Sequence, residues 1–176
     1  FFNVANHFSQ LAKKSRTNGN SEKISKEQTG KPSLDIYKLG DDVLRQNSKR
    51  ITKVDESIRK LAREMLQSMY AAKGIGLAAP QIGINKELLV IDVNFEDSAA
   101  EPLILINPEI TDFGTTLNSY EEGCLSIPGV YLNVVRPSTI KLKFRDEMGR
   151  PRKMKADGLL ARCIQHEMDH LNGILF

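Results

Sequence analysis

The sequence predicts an α+β fold, and three observations predict it. Residues 55–72 carry a strongly amphipathic helical pattern, residues 158–171 carry a second helical pattern, and the stretch between them breaks into short strands punctuated by turn residues. Helices placed at the two ends of a run of strands do not give the alternating βαβ order of a parallel sheet. No internal repeat is present.

The 176 residues fit one domain with enough chain for a real core. No apolar run approaches the roughly 20 residues of a membrane span, so no membrane partner is expected, and none is expected among DNA. Only two cysteines occur, Cys124 and Cys163, which excludes a disulfide framework and fits a reducing compartment. The expected location is the cytoplasm, with a plastid as the alternative. The formal charge of +3 is unevenly spread. Residues 1–31 carry six cationic side chains against Glu22 and Glu27, a net +4, which leaves −1 for the rest. The basic pI therefore belongs to a tail, one that suits a solvated leader or a contact with ribosomal RNA. Residues 1–33 are read as a disordered basic leader and 34–176 as a single catalytic domain. The chain starts at Phe1 and stops at Phe176, so both ends are expected to be cut.

Within the domain, Asp41 to Gln46 reads as a short helical turn. A long helix follows, with Asp55 as its N-cap and its end near Ala72. Ile58, Leu61, Ala62, Met65, Leu66, Met69 and Ala72 form its core-facing stripe. Gly74 to Gln81 is expected as a loop whose glycines let the backbone approach a neighbour closely. It makes a poor phosphate loop, lacking the Lys-Ser/Thr ending. Strands are expected over Leu88–Val93 and Leu103–Asn107, joined by an acidic loop from Asn94 to Pro102. Further strands are expected at Leu117–Glu121, Tyr131–Val135, Thr139–Phe144 and Arg152–Ala156. Thr139–Phe144 alternates cleanly, with Ile140, Leu142 and Phe144 on one face and Lys141 and Lys143 on the other. Glu147 to Arg150 fits a hairpin turn, and Ser126 to Gly129 is expected to turn the chain. The last helix is expected from Gly158 to Leu171.

That helix carries His166-Glu167-Met168-Asp169-His170. Four residues advance a helix by roughly 400°, so the two imidazoles share a face one turn apart, the placement needed to bind one metal ion. Glu167 beside them has the position of a general base. The chain has only three histidines and two are here. A catalytic metal site takes three protein ligands and keeps a position open. A third histidine six residues after His170 would extend the motif as in the metzincin proteases, but Phe176 stands there and cannot ligate. His7 lies in the leader. Cys163 is seven residues from His170, about 10.5 Å of helical rise, too far for a shared ion, and is read as a packed residue under the site. Cys124 remains. A buried free cysteine is common, but the need for one more soft ligand favours its thiolate.

Three stretches together resemble peptide deformylase, in its bacterial and plastid-type form. They are Gly74-Ile75-Gly76-Leu77-Ala78-Ala79-Pro80-Gln81, Glu122-Gly123-Cys124-Leu125-Ser126 and His166-Glu167-Met168-Asp169-His170. The resemblance runs from about Leu34 to Phe176. It implies an α+β fold with antiparallel sheets packed around a central C-terminal helix bearing the histidines. The implied reaction removes the formyl group from formyl-methionine at the N-terminus of new polypeptides and releases formate. Cys124, His166 and His170 would hold one Fe2+, replaceable by Zn2+ or Ni2+. Glu167 would be the base, and the Gln81 amide and Leu125 N–H the oxyanion donors. Ile75, Gly76, Glu122, Gly123, Leu159 and Cys163 are the implied substrate-binding residues, with Tyr120, Arg162 and His166 at the methionine pocket. The expected partners are formyl-methionyl nascent peptides, with the ribosome near, and a monomer is expected. Tyr120, Tyr131 and Arg162 differ from some bacterial members, and the family's continuation after the histidine helix is expected to have been cut away at Phe176.

Overall fold

The structure, a computed structural model, describes residues 25–26 and 33–176. Seven strands and two α-helices follow a short 3-10 turn at Asp42–Arg45. They are α1 (Glu56–Ala71), β1 (Gly76–Ala78), β2 (Leu88–Ile91), β3 (Leu103–Phe113), β4 (Leu117–Cys124), β5 (Ile127–Pro137), β6 (Thr139–Arg145), β7 (Pro151–Asp157) and α2 (Gly158–Leu171). Five strands form an antiparallel sheet in the order β1-β2-β3-β6-β7, and β4 and β5 pair as a separate antiparallel ribbon. The α+β class is as expected.

The sheet is covered on both faces where β1, β2 and β3 meet. Leu88 and Val90 of β2 join Met65, Leu66, Met69, Leu77 and Ile106 in a cluster under α1. Leu89 and Ile91 turn the other way, to Leu105, Ile140, Leu142 and Ile164, under α2. Burial on both sides explains why Leu88–Ile91 reads as a continuous apolar run and not as an alternating one. Helix α1 starts where expected: the Asp55 carboxylate accepts the Ile58 N–H at 3.2 Å. The Glu147–Arg150 turn joins β6 to β7, and Gly149 takes its left-handed corner at φ 79°.

Several elements differ from the sequence reading. Gly76–Ala78 is a strand pairing with Leu89–Ile91, and Ala79–Ile82 is a 3-10 turn, so only part of the expected loop is loop. Strand β3 does not stop at Asn107. That residue takes a left-handed φ of 51° at a register shift, and its side-chain amide bonds both the N–H and the C=O of Ile51 at 2.8 Å. The ladder resumes at Glu109, so Pro108 sits where its missing N–H costs no ladder bond. Strands β4 and β5 run further than expected, and their tight turn falls at Leu125-Ser126. Pro128 and Gly129 lie inside β5.

Most of the expected leader lies outside the described residues. At Lys26 the structure departs from that reading. Its ammonium pairs with the Asp92 carboxylate at 2.7 Å and donates to the carbonyls of Asp97 at 2.9 Å and Ala100 at 2.7 Å. Asp92 also accepts the Tyr70 hydroxyl at 2.6 Å. No helix among the described residues is long and apolar enough to cross a membrane.

Candidate metal centre

Helix α2 lies between the five-stranded sheet and the β4–β5 ribbon, so an unusual share of its polar residues is buried: Arg162, Gln165, His166, Glu167 and His170. Buried polar groups must find partners, and the ribbon supplies them. The end of β4 places Cys124 over the helix, with its Sγ 3.2 Å from His170 Nε2, and the two histidine Nε2 atoms are 3.3 Å apart. Among the described residues Cys124, His166 and His170 are the group whose ligand atoms converge, all within 4.8 Å of one another. The three are essentially inaccessible to solvent.

This set fits a metal ion. Two imidazole nitrogens at about 2.05 Å from one ion in a tetrahedral site lie roughly 3.3 Å apart, the separation found here. The His166 ring is held from behind: its Nδ1 is 3.0 Å from Glu122 Oε1, which fixes Nε2 as the ligating nitrogen. Burial pushes the His170 imidazole well below its usual range, in the direction of the neutral ring that a ligand needs. His170 Nδ1 has no hydrogen-bond partner among the described residues.

Glu122 is the hub beneath the site. Arg136 grips it through Nε at 2.7 Å and Nη2 at 3.0 Å, and Arg162 Nη1 donates to it at 2.6 Å. Burial opposes its charge, but hydrogen bonds from His166 and Arg136 and the charge of Arg136 outweigh this and hold its carboxyl at about 2. Both oxygens have partners and the side chain is fully buried. Arg136 extends to Asp169 at 2.9 Å, and Arg162 to the Val134 and Asn118 carbonyls, with its guanidinium 5.2 Å from the Tyr120 ring centre.

The other expected residues surround the metal ligands. Glu167 is fully buried and faces β1. A Cβ at Gly76 would lie 2.8 Å from Glu167 Oε1 and 2.7 Å from Cys163 Sγ, so this glycine is needed for the strand to lie on the carboxylate. Cys163 is buried, and burial, with Glu167 beside it, pushes its thiol well above the usual range; it stays protonated as a packing residue. Gln81, on the 3-10 turn after β1, is oriented by its Oε1 accepting the Ala78 N–H at 2.9 Å. Its Nε2 points at Cys124 Sγ at 3.6 Å and at Ser126 Oγ at 3.2 Å. Leu125 follows Cys124 in the ribbon turn. Ile75 and Gly123 are buried alongside, Leu159 is half-buried at the start of α2, and Tyr120 is exposed at the rim. Phe176 stands edge-on to His166, ring centres 5.7 Å apart. His7 lies outside the described residues.

The arrangement is matched from end to end by the polypeptide deformylase family model, over residues 33–176. The chain belongs to the polypeptide deformylase family. A peptide deformylase of Prochlorococcus marinus strain AS9601 is 97% identical over 173 residues, covering 98% of this chain and 86% of the relative. One from Synechococcus sp. strain CC9605 is 62% identical over the same span. Among solved structures, the Synechococcus elongatus peptide deformylase in complex with actinonin superposes with a TM-score of 0.87 at 57% identity, covering 89% of this chain and 85% of that one. The Thermotoga maritima peptide deformylase superposes at 0.77 with 40% identity, covering 81% and 93%. The deformylase family is a family of hydrolases that removes the N-formyl group from nascent peptides.

Sequence reasoning missed Arg136, Asp169 and Ser126 as parts of this deformylase site. A signal for Arg136 existed: a glutamate beside Gly-Cys at the buried end of its strand demands a cationic partner, and Arg136 is the arginine of the strand that pairs with it.

Proposed function

We propose that the chain is a metal-dependent deformylase acting on formyl-methionine at the N-terminus of newly made polypeptides and releasing formate. The observation that carries this is the convergence of Cys124, His166 and His170 with Glu167 and Gln81 at its edge. The three ligands would hold Fe2+, with Zn2+ or Ni2+ as substitutes; one soft thiolate and two imidazoles suit all three ions. When bound, the ion supplies Lewis acidity and makes water nucleophilic near neutral pH.

The remaining steps belong to the chain's own residues. Glu167 takes a proton from the attacking water as its oxygen bonds to the formyl carbon. The oxyanion so formed on the substrate accepts hydrogen bonds from the Gln81 amide and the Leu125 N–H. Glu167 returns the proton to the amine, the C–N bond breaks, and formate leaves. Ile75 and Gly76 offer backbone groups to an extended peptide as an added strand would, and Gly123 flanks it from the ribbon. Leu159 and Cys163 close the methionine pocket, while Glu122 acts from below by holding His166. A monomer working in the cytoplasm on peptides emerging from the ribosome completes the reading.

The test is formate release from a formyl-Met tripeptide by protein purified without oxygen and supplied with Fe2+. Formate from the wild type and none from Glu167→Gln supports both the reaction and the base. Metal bound without formate overturns the reading.

A further inference from the structure

We propose that Lys38 is a positioning residue for the oxyanion donors, and that the segment Tyr37–Leu39 sets the spacing between them. The proposal rests on the deformylase reading above, in which Gln81 and Leu125 supply the two donors.

Those donors come from separate parts of the chain: Gln81 from the 3-10 turn after β1, Leu125 from the β4–β5 turn. A donor pair stabilises an oxyanion only if its spacing is set before the reaction. Three successive residues bond to both stretches. The Tyr37 N–H donates to Gln81 O at 2.7 Å and the Leu39 N–H to Ser126 O at 2.8 Å, while Lys38 Nζ donates to Leu125 O at 3.2 Å. Tyr37 also lies against the end of the 3-10 turn, where a Cβ at Gly83 would be 2.7 Å from its ring. The Gln81 Nε2 bond to Ser126 Oγ closes the circuit.

Two of the three bonds are made by backbone groups and are available to any sequence. The third needs an ammonium, and a charged donor to a carbonyl is stronger than a neutral one. Pinning Leu125 O and Ser126 O fixes both peptide planes that follow the Leu125 N–H. Cys124, as a ligand, fixes the side before it. Lys38 itself is exposed, so its replacement removes little buried surface.

The test uses the Fe2+-loaded full chain and a formyl-Met tripeptide, comparing wild type, Lys38→Met, Lys38→Arg, Gln81→Ala and the Lys38→Met/Gln81→Ala pair. Lys38→Met is expected to lower kcat about tenfold while KM stays within about twofold, with iron content and Tm unchanged. Lys38→Arg restores most of the loss. In the Gln81→Ala background the Lys38→Met loss shrinks, because both groups act on one oxyanion. Full turnover in Lys38→Met, a loss confined to KM, loss of iron, or additive losses in the double variant each overturns the positioning role and leaves the deformylase reading intact. Absence of formate from the wild type overturns that reading and the proposal with it.

Discussion

The two α-helices are of similar length and opposite economy. Helix α1 buries an apolar stripe and turns Glu56, Arg59, Lys60, Arg63 and Glu64 outward, where they pair along the helix surface. Helix α2 has polar residues on its buried side. Arg162, Gln165, His166, Glu167 and His170 lie out of solvent, and four of them, Arg162, Gln165, His166 and His170, meet Glu122, Cys124 or the ribbon's carbonyls. One helix is stable because of what it hides from water. The other is tolerated because the ribbon meets much of what it hides, and that buried polar set forms the site. The difference teaches where mutations act: on stability in α1, on chemistry and metal in α2.

The comparison can be broken hardest at the site itself. Cys124→Ala is expected to lose both metal and turnover. Glu167→Ala keeps the metal and loses turnover on the order of a thousandfold. Metal analysis beside formate release separates the two, and near-normal turnover in the second would sink the assigned base. Next comes the network that lets α2 stay polar. Glu122→Gln removes the charge facing Arg136, Arg162 and His166 and is expected to weaken metal affinity by about tenfold or more, read by competition with a chelator. It also lowers the denaturant midpoint, because two guanidiniums lose their buried counter-charge.

For α1 the expectation is reversed. Met65→Ala is expected to cost about 2–4 kcal/mol of stability, given its complete burial, while kcat per folded molecule is retained. A large drop in kcat at constant metal content would show that the two helices are not separable in this way. The smallest effect is at the start of α1. The Ser57 hydroxyl and the Ile58 N–H hold the Asp55 carboxyl below its usual range. A depressed carboxyl contributes stability above its unfolded value of about 3.9 and loses it as pH falls through the lower folded value. Asp55→Ala should therefore lower Tm by a few degrees at neutral pH, and the gap to wild type should close in acid. A gap that stayed constant as the pH was lowered from neutral into the acid range would contradict this.

How much of this was legible in the sequence follows the same division. The bounds of α1 and α2 could be read because capping and 3.6-residue periodicity are local. The cluster of Cys124, His166 and His170 that could hold a metal was legible because two share one helical turn and the third was left by elimination and strengthened by the resemblance. What could not be read depended on contacts across long sequence distances. Gly76–Ala78 is a strand only because β2 lies beside it, and β3 passes Asn107 only because Ile51 accepts the side-chain amide. The hub role of Glu122 could not be read, because its partners are 14, 40 and 44 residues away. Lys26 sat in a stretch with no local signal at all.

The alternation of Leu88, Leu89, Val90 and Ile91 between the two clusters bears on how the molecule comes apart. A strand of four residues packed against both helices couples them, so the stabilising half and the reactive half are expected to melt together. Backbone amides of β2 are therefore expected to exchange with solvent through global opening, and a ligand seated among Cys124, His166 and His170 is expected to protect the core beneath α1 as well as its own pocket.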